Sequence, residues 1–258
     1  VATPSLIFSS VAVSDTDAFF SPVILVIAVA TVVTMLIYWA ISALFFRQDA
    51  AETMAGAASS SYYNSVNIGL PIATYVLGDA TFVVPALVLQ MAVLSPIVIA
   101  GLDRSSSGVA KSVLSGLTAP VVVAAFAGFA VSAASWTVPE PVLAPLEILG
   151  GASIPLILMS FGASLTGEKV LTSHRGPTLT ATALKLVGMP AVAWVVATLL
   201  GLDGQEMYAA LILCALPTAQ NVYNYAATYR SGEVICRDTV FLTTFLALPA
   251  MLLIAGVF

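Results

Sequence analysis

Two short stretches of an otherwise apolar chain set amide side chains beside a helix breaker. NSVNIGLPIATYVLGDA, residues 64–80, holds Asn64, Asn67, Gly69 and Pro71. CALPTAQNVYNYAATY, residues 214–229, holds Pro217 with Gln220, Asn221 and Asn224 after it. A proline removes a backbone donor and clashes with the carbonyl one turn back, and a glycine weakens the helix further. Asn64 and Asn67 are a turn apart and share a face. Their amides can donate to an anion or to freed backbone groups. The N-terminal end of a half-helix adds partial positive charge. The chemistry this suggests is the binding of an anion by dipoles and amides.

The elements around these stretches belong in a membrane. The chain has 258 residues, of which 60% are hydrophobic and 8% charged, and its mean hydropathy is +1.04. A soluble domain needs far more surface charge. Apolar runs bounded by charge, Gly or Pro predict helices near 20–46, 54–78, 81–102, 117–137, 142–165, 177–200, 206–229 and 234–257. Most reach the roughly 20 residues that cross a bilayer core. Residues 1–12 form an apolar stub too short to span, as if the chain began inside a helix. The expected class is an all-α polytopic membrane protein. The short alternating segments of a membrane β-barrel are missing from the pattern.

In hydrocarbon, freed backbone groups must be satisfied by protein or by a water-filled cavity. Broken helices at Pro71 and Pro217 therefore predict a protein-lined site at mid-membrane. The halves also echo one another. TPSLIFSSVA near the start resembles SIPLILMSFGASL at 153–165. Pro71 and Pro217 are each followed by Tyr (Tyr75, Tyr225) and then Gly (Gly78, Gly232), and the next helix in each half holds Pro96 or Pro249. An odd number of helices separates equivalent positions, so the repeats are inverted, a pattern of secondary transporters. Residues 1–103 form the first repeat, 104–116 a cytoplasmic linker and 117–258 the second repeat.

Charge predicts orientation. Arg47, Arg104, Lys111, Lys169, Arg175, Arg230 and Arg237 fall in one alternating set of loops; Asp15, Asp17, Asp79, Glu140 and Asp203 fall in the other. The basic side is cytoplasmic by the positive-inside rule, and the C-terminus faces outward. The remaining basic residue, Lys185, lies inside a span. It either snorkels to the cytoplasmic face or serves as counter-charge to an anion or in a salt bridge. Glu147 suits an outer vestibule, and Arg237 with Asp238 suits anchoring at a helix start. Gln90 joins the site or bridges helices. Gly56 and Ser59, Ser60 and Ser61 suit close helix packing. Trp39, Trp136, Trp194 and Tyr208 suit membrane interfaces. The two cysteines, Cys214 and Cys236, and the single histidine, His174, suggest neither a disulfide framework nor a metal centre.

YYNSVNIGLPIATYVLGDA, GGASIPLILMSFGASL and ALPTAQNVYNYAATY with TTFLALP resemble the auxin efflux carrier family in its bacterial branch, related to plant PIN-type auxin exporters and bacterial carriers of small carboxylates. The resemblance covers nearly the whole chain. It implies ten helices in two inverted five-helix repeats, an NhaA-like, bile-acid-symporter-like fold with both termini outside. It implies that Pro71 and Pro217 mark the crossing of two broken helices. An organic anion would bind beside it, with Asn64 as the binding asparagine, Asn67 nearer the crossing, and Gln220 and Asn221 from the second repeat. It also implies an elevator-like movement and a homodimer. Against that plan the sequence lacks the first helix and most of the second.

The expectation is a carrier of a small organic anion, a carboxylate, in a bacterial cytoplasmic membrane, with no cofactor. No Gly-rich loop ending in Lys-Ser/Thr occurs. Energy would come from an ion gradient of protons or sodium, from the membrane potential or from the substrate's own gradient. Rival readings are a channel, a non-transporting membrane scaffold, and an intramembrane hydrolase with a Ser–Lys pair using Lys185.

Overall fold

The computed structural model describes residues 2–13, 21–69, 72, 82–103, 114, 117, 118, 120–153, 155, 156, 159, 163 and 169–257. Most of these residues are helical, with no strand among them. The helices are α1 (Ala2–Ala12), α2 (Pro22–Phe46), α3 (Ala50–Ser61), α4 (Val83–Leu102), α5 (Pro120–Ala133), α6 (Glu140–Gly151), α7 (Arg175–Leu199), α8 (Gly204–Ala215), α9 (Gln220–Tyr229) and α10 (Glu233–Ala255). Helices α2, α4, α7 and α10 are long and apolar enough to cross a bilayer. The chain is a multi-pass membrane protein.

Local chemistry explains the helix ends. Ser21 Oγ accepts the Val23 N–H at 3.2 Å, and Pro22 sits at the first turn, where its missing donor is not needed. Helix α2 ends in a widened π turn, Ser42–Phe46, and then Arg47 in the left-handed region. Asp49 Oδ1 accepts the Glu52 N–H at 2.8 Å and starts α3.

Large apolar side chains such as Leu25 and Leu36 of α2, Leu199 of α7 and Leu252 of α10 are exposed. Such a surface suits lipid and not water. Inside, α2 packs on α3, α7 and α8, while α10 packs on α3, α7, α8 and α9. Helix α1 lies against α5 and α6. The predicted stub is thus a packed helix, and its Ile7 and Val11 join Leu87, Met91 and Ala125 in a core of their own.

The spans expected at 54–78 and 206–229 are the interrupted ones. In the second half the gap between α8 and α9 holds Pro217, as the sequence predicted. In the first half α3 ends at Ser61, well before Pro71, and Tyr62 turns extended with ψ 142°. A π turn, Ser65–Gly69, follows. Pro71, Tyr75, Gly78 and Asp79 lie outside the described residues, as do Arg104 and Lys111. Of the span expected at 142–165, α6 covers the part to Gly151, and most of the rest lies outside the described residues.

Candidate functional site

The two interruptions touch. After the Tyr62 N–H, which still donates to the Ala58 carbonyl, the α-helical bonds stop, so the next N–H groups need new acceptors. The Asn64 N–H donates to the Pro217 carbonyl at 2.9 Å, from one interruption to the other. The Tyr63 N–H donates to Gln90 Oε1 at 3.2 Å. The Ser59 carbonyl, which a continuous helix would pair with that N–H, accepts from Thr218 Oγ1 at 2.7 Å. Each half therefore satisfies backbone groups of the other.

The amides meet at the same place. Asn67 Nδ2 donates to Gln220 Oε1 at 2.7 Å. Asn64 Oδ1 accepts the Asn67 N–H at 3.2 Å, and the Asn64 carbonyl accepts the Gly69 N–H at 2.8 Å. Gly69 is buried, and a Cβ there would come 2.9 Å from Leu216 of the second interruption. Asn64 is 4% exposed, and its Nδ2 has no partner among the described residues. A buried amide N–H without an acceptor is costly and calls for an explanation.

A small cavity supplies one. Asn64, Asn67, Gln90, Gln220 and Asn221 line it with Thr3 and Tyr63, and Leu6, Ile7 and Leu87 give it an apolar side. Its volume is about 30 Å³, the size of about two water molecules. Among the described residues no charged side chain lines it. Positive potential comes instead from the start of α9, where Ala219 is the cap residue and makes no side-chain cap bond. The arrangement presents neutral donors and a helix N-terminus to a small acceptor-rich group.

Other predicted residues fall elsewhere. Asn224 is half-buried on α9, outside the cavity lining, and its carbonyl accepts from Thr228 Oγ1 at 2.7 Å. Lys185 is wholly buried and does not line the cavity. Its Nζ donates to the Cys214 carbonyl at 2.7 Å and to Met189 Sδ at 3.0 Å. It neither snorkels nor, among the described residues, pairs with a carboxylate. Ser59, Ser60 and Ser61 are buried and donate to carbonyls of their own helix. Asp238 accepts from Arg237 Nε at 2.9 Å and from the Leu171 N–H at 2.8 Å. It fastens the turn before α7 to the start of α10.

Sequence reading did not single out Tyr63, Thr218 or Thr3 for this site. Tyr63 directly precedes the first amide stretch and Thr218 lies within the second, a signal that was available. Thr3 lies on the short first helix, and nothing local marks it.

The sequence profile of the membrane transport protein family matches residues 1–102 and 105–255. A protein of Rhizobium meliloti (strain 1021) named "Putative malonate transporter" is 24% identical over 264 aligned positions, covering 97% of this chain and 82% of that protein. An uncharacterized transporter of Methanocaldococcus jannaschii is 27% identical over 107 positions, covering 42% of this chain and 34% of that protein. The family match runs through both interruptions and the helices that frame them, and the chain belongs to the membrane transport protein family, which is the auxin efflux carrier family that its motifs resemble.

Proposed function

We propose that this protein is a secondary active transporter of a small organic anion, a carboxylate, and that the anion binds where the two interruptions touch. The observation that carries this reading is buried Asn64, whose Nδ2 has no acceptor among the described residues, in the lining of a cavity walled by amides from both halves of the chain. Carboxylate oxygens are acceptors only, and they complement a site of donors. Asn64, Asn67, Gln220 and Asn221 hold the anion. Pro217, Gly69 and Pro71 shape the crossing, and Asn224 stands one turn further along α9. The name of the Rhizobium relative supports malonate as a first substrate to test.

A cavity of about 30 Å³ is too small for a dicarboxylate. Its walls come from α1, α4 and the two interruptions, so opening needs one group of helices to move against the other. That supports alternating access; its elevator form, a homodimer, and a bacterial cytoplasmic membrane with the C-terminus outside are parts of the same proposal. The two repeats, 1–103 and 117–258, and a coupling proton or sodium ion belong to the same reading. An inside-negative potential would favour export of an anion, by about 2.3 kcal/mol per charge per 100 mV.

The test is flux of labelled malonate, malate and indole acetate in proteoliposomes. Saturable flux that Asn64→Ala and Asn221→Ala abolish supports the carrier. Flux that never saturates points to a channel. An absence of flux, with a peptide or lipid cleaved, points to an enzyme and defeats the proposal.

A further inference from the structure

In a continuous helix the Cys214 carbonyl would accept the N–H four residues on, that of Thr218. Here the Thr218 N–H turns away to Thr243 Oγ1 at 3.0 Å, and Leu216 is extended with ψ 147°. The abandoned carbonyl is taken by Lys185 Nζ at 2.7 Å, and the same ammonium donates to Met189 Sδ at 3.0 Å. The first interruption solves the same problem without charge, because the Ser59 carbonyl accepts the Thr218 hydroxyl. One carbonyl end meets a hydroxyl and the other the amine of a lysine.

A buried ammonium with no carboxylate partner among the described residues is costly, so its placement needs a reason. The carbonyl end of α8 carries partial negative charge and favours a cation. The second acceptor, a thioether, is soft and weak; it suits an N–H donor and not a hard metal cation such as sodium.

We propose that Lys185 is the resident cation of the crossing. Its tethered ammonium fills a primary-ammonium site made by the Cys214 carbonyl and the Met189 thioether. By holding the end of α8 it sets the start of α9, and with it Gln220 and Asn221, at the cavity. Lys185 is a positioning residue and does not touch the anion. The effect on flux rests on the transport reading above; the effect on stability does not.

The experiment compares Lys185→Met, neutral and of similar length, with Lys185→Arg and Lys185→Ala. Each is purified and reconstituted, with n-propylammonium, tetramethylammonium or sodium at equal ionic strength from solubilisation onward. We expect Lys185→Met to lower Tm and to raise the KM for the transported anion about tenfold, while Lys185→Arg keeps most of both. We expect n-propylammonium to restore Tm and KM in Lys185→Ala, and tetramethylammonium and sodium to fail. The proposal is overturned if Lys185→Met matches the unsubstituted protein, or if folded Lys185→Ala ignores n-propylammonium. If Lys185→Ala does not fold, a Lys185→Met protein as stable as Lys185→Arg overturns it equally. If the unsubstituted protein moves no anion, the transport reading fails and the Tm comparison still decides the cation site.

Discussion

The Asn64 N–H and the Pro217 carbonyl meet at 2.9 Å, and this bond joins two helix interruptions from opposite halves of the chain. It is made by backbone, so side-chain changes around it test the site without dismantling the crossing.

Asn64→Ala removes a buried amide donor at the cavity that has no acceptor among the described residues. The bond to Pro217 survives, but the Asn67 N–H loses Asn64 Oδ1 as its acceptor, so stability should fall by about 1–3 kcal/mol. Anion affinity should fall about tenfold or more, roughly 1.4 kcal/mol. Calorimetric binding alongside a thermal scan checks both; a large loss of Tm with unchanged affinity would show that Asn64 only braces the fold.

The Asn67–Gln220 bond at 2.7 Å is a side-chain link between the two interruptions. A double-mutant cycle with Asn67→Ala and Gln220→Ala should give a coupling of about 0.5–1.5 kcal/mol. Unfolding free energies that simply add would mean the two amides do not support one another.

Thr243→Val keeps the shape of a buried side chain and deletes the acceptor of the Thr218 N–H. A buried donor left unpaired should cost about 1–3 kcal/mol. The crossing should loosen, which hydrogen exchange at Thr218 and its neighbours would report as faster; unchanged protection there would count against this assignment.

Asp238 is wholly buried, and Arg237 is 7% exposed beside it. Asp238→Ala leaves a mostly buried guanidinium without that carboxylate and frees the Leu171 N–H. The expected loss is about 3–5 kcal/mol. Limited proteolysis around residues 169–174 should accelerate. Asp238→Asn, which keeps the shape and an acceptor oxygen, should lose less.

Gly232 opens α10 with φ 65°, and a Cβ at that position would stand 2.3 Å from Ala55 Cβ. Gly232→Ala combines backbone strain, about 1–3 kcal/mol, with a clash against α3. Tm should drop markedly. A tolerated substitution would mean that α3 and α10 can separate at that end.

The local sequence was sufficient for the membrane class, for most helix positions and for the presence of two amide-bearing interruptions. Hydropathy and helix breaking act over a few neighbouring residues, and both are written along the chain. Pro217 breaks its helix by its own chemistry, so that interruption was visible in advance. A break at Pro71 lies outside the described residues, but α3 already ends at Ser61 without a proline, earlier than the sequence reading placed the interruption. It ends there because Gln90, Thr218 and Pro217 offer its backbone better partners than the helix does, and those partners are remote in sequence. The same holds for Lys185, whose ammonium answers a carbonyl that became free only when Thr218 turned to Thr243. It holds also for Thr3, a cavity wall only because α1 packs there. Where an interruption falls and which donor meets which acceptor is settled by packing, because a buried polar group takes whichever partner the fold brings within 3 Å or so.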